Sequence, residues 1–297
     1  MSKLVYLIIL AGLWIVSCIP LTVLYFVSDI LYLLCFYLIA YRKKVVFTNL
    51  RNACPEKTVE ELTAIAKQFY RNFCDFLIEN VWIMFASEQN IRKLVHFKNG
   101  AFMDDIYRHG KGVVLLQGHF FNWELSLMLG TEGEKCRRYV IYKPLSSKVS
   151  EKLIFRIRSR FGTMMLAMHE TKNFVNNNEN KGTINDLPSL YQFGADQSPM
   201  KHKAEYWTKF MNQDTPVFTG PEQLALQFGL PVVFLDLQKT GRGKYEIEYS
   251  LMGKNPAGAS PHQITNDYIA KLEEAIAKNP SNWLWSHKRW KHSRVIG

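Results

Sequence analysis

The chain opens with two strongly apolar stretches separated by a proline. Residues 4–19 carry no charged side chain, and after Pro20 the apolar pattern resumes over 21–40 with Asp29 as its only charge. As a helix, the first stretch would rise about 24 Å, short of the roughly 30 Å hydrocarbon core of a bilayer. The pattern therefore predicts either one membrane-crossing helix kinked at Pro20 or a shallow hairpin of two helices.

The flanks of this region favour cytoplasmic placement of both ends. Lys3 precedes the first stretch and a basic cluster at 42–44 follows the second. A cleaved lipoprotein signal ending near Cys18 is the alternative, but the chain stays apolar for some twenty residues more, where a lipoprotein usually continues into a polar tether. We expect a membrane anchor over 1–41 and a separate folded domain over 42–297.

Beyond the anchor the pattern becomes helical and then alternates. Thr58 and Glu61 form a capping box, and apolar residues recur at helical spacing as far as Ile78. Short apolar runs then predict strands, with amphipathic helices between them. The predicted strands are 112–117, 138–143, 162–167, 189–197, 230–237 and 244–251, and the predicted helices are 122–131, 148–161, 220–229 and 261–278.

Strands alternating with helices indicate an α/β fold with a mostly parallel central sheet flanked by helices. The early strands are uniformly apolar, as strands covered on both faces are. The segment "KYEIEYSL" at 244–251 instead alternates polar and apolar residues, which predicts a strand near a sheet edge.

Charge and cysteine content narrow the function classes. The net charge of +11 favours an acidic partner, such as a phospholipid surface, a phosphorylated substrate or an acidic carrier protein. Nucleic acid is not expected, because the basic residues are spread along the chain and an apolar anchor precedes them. The five cysteines are scattered, with no C-x-x-C spacing, so we expect neither a disulfide framework nor a metal site.

Candidate chemistry lies in the stretch "GVVLLQGHFFNWELSLML" at 112–129, where His119 and Glu124 follow a buried strand. Ligands of α/β sheets collect at the carboxyl ends of strands. Five helical positions are a rotation of about 140°, so the two side chains would not share a face of one helix, but they can meet if His119 lies in the turn and Glu124 one turn into the helix. Both could instead be ordinary polar positions, but an unpaired glutamate among these apolar neighbours is costly.

The segment "GHFFNWE" resembles the H-x-x-x-x-D/E motif of the lipid A biosynthesis acyltransferases, the late lauroyl and myristoyl transferases of lipopolysaccharide assembly, which are relatives of the glycerolipid acyltransferases. Other segments resemble that family in the same order, so the resemblance covers nearly the whole chain. They are "FTNLRNACPEKT" at 47–58, "YKPL" at 142–145, "RIRSRFG" at 156–162, "ADQSP" at 195–199, "TGPEQLALQFGLPVV" at 219–233 and "WLWSHKRWK" at 283–291.

The resemblance implies a glycerolipid-acyltransferase-like catalytic domain over 42–297, anchored in the bacterial inner membrane and facing the cytoplasm. Its expected activity is transfer of a fatty acyl group from acyl carrier protein, or coenzyme A, to a hydroxyl of a lipid A precursor. In that reading His119 is the general base and Glu124 holds its imidazole. No acyl-enzyme, cofactor or metal is implied.

The resemblance also implies substrate-binding residues. Arg156, Arg158 and Arg160 match the family's arginine segment and suit a phosphate or an oxyanion, although only Arg156 and Arg160 would share a helix face. Asp196 matches an aspartate that orients Arg158 or Arg160 or binds the sugar; capping a turn is the alternative. The segment "NQDTPVF" at 212–218 departs from the family's commoner pattern, which leaves acceptor contacts there open.

The C-terminal segment mixes indoles and cations, as interfacial segments do, while the resemblance indicates a structural role for Trp285 and Arg289. Alternative acceptors are a lysophospholipid, an aminolipid or another glycolipid. A non-catalytic membrane scaffold is the remaining alternative, whereas the H-E-x-x-H and G-x-S-x-G strings of metalloproteases and serine hydrolases do not occur.

Overall fold

A computed structural model describes residues 3–108, 110, 112–180, 187–201, 204–253 and 256–292. His109 and His202, which have no partner at informative spacing in the sequence and are expected at the surface, lie outside these residues. The helices within them are α1 (Lys3–Ser17), α2 (Leu21–Leu33), α3 (Lys43–Ala53), α4 (Val59–Ile83), α5 (Glu88–Arg92), α6 (Ala101–Tyr107), α7 (Trp123–Met128), α8 (Lys148–Arg158), α9 (Thr171–Asn180), α10 (Gly220–Phe228) and α11 (Gln263–Lys278). The strands are β1 (Val95–Phe97), β2 (Val113–Gln117), β3 (Arg137–Tyr142), β4 (Met164–Ala167), β5 (Ser189–Gly194), β6 (Tyr206–Phe210), β7 (Gln213–Val217), β8 (Val232–Gly241) and β9 (Lys244–Gly253).

The larger sheet has the order β1-β9-β8-β2-β5-β3-β4 and is flanked by helices. Its neighbours pair in parallel except β8 and β9, which form an antiparallel hairpin. The predicted α/β class with a mostly parallel sheet is therefore confirmed. Strand β2 lies between β8 and β5, and all five of its residues are buried, as its largely apolar sequence predicts.

Most predicted elements are present, with ends shifted by a few residues. The Thr58 capping box begins α4, with both reciprocal hydrogen bonds formed, and β9 lies next to the edge strand, as its alternating pattern predicts. The prediction missed the short strand β1 and the separate antiparallel hairpin β6–β7. The predicted strand 189–197 is too long, because β5 ends at Gly194 and Asp196 lies in the loop beyond it.

The apolar N-terminal region forms two helices rather than one kinked helix. Pro20 has an extended backbone (ψ 138°) and precedes the first residue of α2, while α1 has already ended at Ser17. Residues that precede a proline avoid the helical region, which explains the break. A π-helical turn, Leu34–Leu38, continues α2, and among the described residues Leu21–Leu38 is long and apolar enough to cross a membrane.

One side of α2 packs against the rest of the protein. Leu24, Ser28 and Tyr32 are buried, whereas large apolar side chains such as Phe26 and Leu33 are exposed. The Ser28 hydroxyl donates to Asp75 of α4 at 2.7 Å. Because α2 contributes buried polar contacts as well as apolar ones, it belongs structurally to the helical layer around the sheet.

Asp75 is the centre of a buried charge cluster. It accepts from Lys239 Nζ at 2.8 Å and from Arg242 Nε at 3.0 Å, in addition to Ser28. Asp75 and Lys239 expose only 5% and 6% of their side chains. This cluster joins α2 and α4 to the end of β8, on the side of the sheet where β2 ends.

The C-terminal segment is part of the core. Trp283, Trp285 and Arg289 are fully buried, and Asn49 of α3 donates to the carbonyls of Trp285 and His287 at 2.8 and 2.9 Å. The structural role expected for Trp285 and Arg289 is confirmed. An interfacial role for the indoles is wrong for Trp283 and Trp285, because neither reaches the surface.

We expect Asp75→Asn to lower the free energy of unfolding by about 3–5 kcal/mol, because it leaves the buried Lys239 ammonium without its counter-charge. Denaturant unfolding of the detergent-solubilised protein measures this. The matched control is Glu248→Gln, which removes the exposed Lys98–Glu248 pair and should cost about 1 kcal/mol or less. Equal losses in the two variants would contradict the role given to Asp75.

Candidate active site

The site begins where β2 and β5 end side by side. Gln117 and Gly194 are register partners at the last positions of these parallel strands. His119 lies two residues beyond Gln117, and Asp196 two residues beyond Gly194. The two side chains therefore leave the sheet at equivalent positions, which brings them together although they are 77 residues apart.

Asp196 holds His119 through both of its oxygens. Oδ1 lies 2.5 Å from the ring Nδ1, and Oδ2 accepts from the His119 backbone N–H at 2.8 Å. Oδ2 also accepts from the indole N–H of Trp283 at 2.8 Å. This carboxylate is 1% exposed, whereas the imidazole is 22% exposed, so the ring lies between the protein interior and the surface.

The environment of Asp196 keeps it ionised. Burial alone would raise its pKa, but the charge of His119 and the hydrogen bonds from His119 and Trp283 outweigh burial and lower the pKa to about 2. Whenever the imidazole is neutral, an ionised Asp196 makes Nδ1 its protonated nitrogen. Nε2 then carries the lone pair, which is the arrangement that a general base needs.

The pairing of Glu124 with His119 that the sequence suggested is not formed. Both carboxylate oxygens of Glu124 instead accept from Arg158, each at 2.7 Å, and Oε1 also accepts from the indole of Trp123 at 2.9 Å. The reason is geometric: Glu124 is the second residue of α7 rather than one turn into the helix, and α7 packs against α8, which carries Arg158. Trp123 connects the Glu124–Arg158 pair to the His119–Asp196 pair, since its ring packs edge-on against the His119 ring, with the ring centroids 5.1 Å apart.

The three arginines of the 156–160 segment have different surroundings. Arg158 is engaged by Glu124, and Arg160 donates to the carbonyls of Ile83 and Ala86. Among the described residues Arg156 pairs with no carboxylate and lies over the Phe85 ring at 5.3 Å. Arg156 and Arg160 share a face, as predicted.

Arg156 and Arg160 line an open cavity of about 570 Å³ together with Lys152, Glu151, Tyr142 and Tyr6 of α1. Burial lowers the pKa of Arg160, and the adjacent charge of Arg156 lowers it further. Two guanidiniums and an ammonium thus face one opening beside a helix of the apolar N-terminal region.

Asp196 also differs from its predicted role. It was expected to orient Arg158 or Arg160 or to bind a sugar, and instead it orients the imidazole. Trp283 belongs to the C-terminal segment, for which the sequence predicts no part in the site, yet its indole N–H donates to Asp196. Glu79 and Asn122 were missed too, because no sequence spacing links them.

An apolar cavity of about 190 Å³ is lined in part by Gly194 and Ala195, at the end of β5. Gly194 lies against the ring, since a Cβ at this position would come within 2.8 Å of His119 Cε1. The cavity continues away from Gly194 between β3, β5 and α10. Its apolar lining includes Ile141, Met168, Phe193, Phe218 and Leu224.

The turn between His119 and α7 is held in place by hydrogen bonds of Asn122. Asn122 caps α7 by accepting from the Glu124 N–H at 3.2 Å, and its amide donates to Glu79 at 3.1 Å. Glu79 is fully buried. In the part of the chain that the structure describes, no cluster of His, Cys, Asp and Glu is placed to hold a metal ion.

The geometry combines an imidazole oriented by a buried carboxylate, an apolar cavity that shares Gly194 with the surroundings of that imidazole, and a separate basic opening lined by α8. No curated protein matches the chain significantly. The family model described as bacterial lipid A biosynthesis acyltransferase matches residues 1–292, which is nearly the full length. The resemblance seen in the separate motifs is thereby confirmed, and the chain belongs to the bacterial lipid A biosynthesis acyltransferase family.

Proposed function

We propose that the protein transfers a fatty acyl group from the thioester of acyl carrier protein to a hydroxyl of a lipid A precursor, at the cytoplasmic face of a bacterial inner membrane. The observation that carries the proposal is the His119–Asp196 pair, with Nδ1 2.5 Å from the carboxylate, and Gly194, which lies against the imidazole and also lines an apolar cavity. Family membership supports the acceptor class.

In the proposed reaction the His119 Nε2 takes the proton of the acceptor hydroxyl as its oxygen attacks the thioester carbonyl. Asp196 stabilises the imidazolium that forms. The tetrahedral intermediate then collapses, the carbon–sulfur bond breaks, and the proton passes from His119 to the departing thiolate. The ester bond forms directly on the acceptor, with no acyl-enzyme.

The apolar cavity beside Gly194 suits the acyl chain. Its lining is largely aliphatic and aromatic, and it includes Gly194, which lies against the His119 ring. A thioester whose chain lies in this cavity would present its carbonyl carbon near Nε2. The net charge of +11 suits an acidic donor such as acyl carrier protein.

Arg156 is the arginine best suited to the acceptor, because Arg158 and Arg160 are held by protein groups. With Lys152 it faces the open cavity next to α1, where a phosphate on a membrane lipid could bind. Arg158 would act indirectly, through the ion pair that fixes Glu124 and Trp123 beside His119.

The exposed apolar sides of α1 and α2 support membrane attachment. Leu4, Ile8 and Ile15 of α1 and Phe26 and Leu33 of α2 are exposed, which is unfavourable in water. Embedding these sides would bring the cavity beside Tyr6 close to lipid headgroups. The acceptor could then reach the site without leaving the bilayer.

We expect His119→Ala to lower acyl transfer by about 10²–10⁴-fold, because the reaction loses its general base. Transfer of labelled acyl groups from acyl carrier protein to a lipid A precursor by the purified enzyme measures this. His169→Ala, which changes an imidazole that is largely exposed, should transfer at the wild-type rate. Substantial activity in His119→Ala would remove His119 from the proposed role.

Asp196→Asn and Glu124→Gln test which carboxylate serves the base. We expect Asp196→Asn to lower kcat by about 10²-fold or more, because an amide can donate to Nδ1 and so stabilise the wrong tautomer. Glu124→Gln should cost less, since it weakens only the pair with Arg158. Side-by-side turnover assays give the order, and a larger loss in Glu124→Gln would contradict the assignment of Asp196.

We expect Arg156→Gln to raise KM for a phosphorylated glycolipid acceptor about tenfold and to leave kcat nearly unchanged, because a charge-assisted hydrogen bond is lost on binding. With the dephosphorylated acceptor the two enzymes should have the same KM. Arg108→Gln removes an exposed arginine as a control. An unchanged KM in Arg156→Gln would place the acceptor elsewhere.

A further inference from the structure

Glu79 lies at the centre of a buried polar cluster that the reaction itself does not use. Its Oε1 accepts from the Tyr25 hydroxyl at 2.9 Å, and its Oε2 accepts from the Tyr245 hydroxyl at 2.6 Å and from the Asn122 amide at 3.1 Å. The three donors come from α2, β9 and the turn that follows His119. A single carboxylate thus connects the apolar N-terminal region to the catalytic turn.

Burying this carboxylate is costly unless every contact forms. Glu79 is fully buried, and burial raises its pKa although Lys239, Tyr245 and Asn122 oppose the shift. All three direct partners offer N–H or O–H donors, so they satisfy an acceptor. Removing one of them leaves a buried polar group unpaired and loosens the other two.

The link from Glu79 to the reacting group is short. Asn122 uses its amide N–H for Glu79 and its amide oxygen for the backbone N–H of Glu124. That contact starts α7, whose first two residues are Trp123, against the His119 ring, and Glu124, which holds Arg158. The orientation of the Asn122 amide therefore sets where α7 begins relative to the imidazole.

The turn between β8 and β9 fixes the hydroxyl of Tyr25. Arg242 lies over the Tyr25 ring at 4.7 Å, and a Cβ at Gly243 would meet the Tyr25 oxygen at 2.4 Å. Gly243 also has a φ of +67°, a left-handed conformation that favours glycine. Tyr25 is thus held between this turn and Glu79, although α2 is exposed on its other side.

We propose that Glu79 is a positioning residue of the active site and that Tyr25, on the apolar helix α2, holds it in place. Helix α2 then serves two functions: its exposed side faces lipid, and its buried side fixes the turn from His119 to Glu124. The kinetic part of this inference rests on the proposed acyl transfer; the structural part does not.

Tyr25→Phe tests the link by removing one hydroxyl and keeping the ring. In full-length protein in lipid nanodiscs we expect kcat to fall about tenfold with KM unchanged, because the turn is misplaced while substrate contacts remain. Tyr37→Phe makes the same chemical change at an exposed position of the same apolar region and should leave kcat unchanged. A fall in kcat no larger than that of Tyr37→Phe overturns the proposal.

Asn122→Ser tests whether the effect passes through Asn122. Serine still caps a helix but cannot donate to Glu79 as the amide does. In the Asn122→Ser background Tyr25→Phe should lower kcat less than twofold further, because the link is already cut. If the fold-loss of kcat in the double variant equals the product of the losses in the two single variants, Tyr25 acts independently of the turn and the proposal fails.

Hydrogen exchange measured without substrate separates this inference from the proposed function. Peptides covering 119–128 should exchange faster in Tyr25→Phe than in wild type and Tyr37→Phe. If the wild-type enzyme transfers no acyl group but Tyr25→Phe still exchanges faster than wild type, the proposed function is wrong and the positioning role stands. Equal exchange in Tyr25→Phe and Tyr37→Phe overturns the positioning role, whatever the activity.

Discussion

The contact between the Asp196 carboxylate and the His119 imidazole is the interaction on which the site depends. It joins the ends of two neighbouring parallel strands, and Trp283 ties the C-terminal segment to the same carboxylate. A buried carboxylate is stable only when its lone pairs are filled, and here the ring, a backbone N–H and an indole fill them. The same bonds that make Asp196 tolerable in the interior therefore also aim Nε2 outward.

Three further carboxylates hold the elements around that pair. Glu124 fixes α7 to α8 through Arg158, Glu79 fixes the turn before α7 to α2 and β9, and Asp75 fixes α2 and α4 to β8. Each is largely buried and each uses charged or hydroxyl donors. Since a polar group left unpaired in the interior costs more than a satisfied one contributes, these contacts specify position more than they add stability.

The arrangement fits chemistry on a lipid. The proposed reaction needs a base for the acceptor hydroxyl and an apolar space for the acyl chain, and Gly194 lies against the His119 imidazole while lining an apolar cavity. Apolar helices on the outside and a basic opening beside α1 suit an acceptor that carries phosphate and stays in the bilayer. The chain belongs to the bacterial lipid A biosynthesis acyltransferase family, whose lipid substrate class agrees with this arrangement.

Local pattern by itself determined much of this protein. Uniformly apolar runs indicated buried parallel strands, the Thr58 box indicated the start of α4, and His119 was found because a histidine after such a strand lies where ligands gather. The partner of His119 depended on tertiary structure. Sequence spacing suggested Glu124 because it is close to His119 in the chain. Asp196 is close to His119 only in space, because β2 and β5 are neighbouring strands with Gln117 opposite Gly194. Strand order, and the hydrogen bonds of Glu79 that cross three elements, are set by packing between distant segments, which local periodicity does not encode.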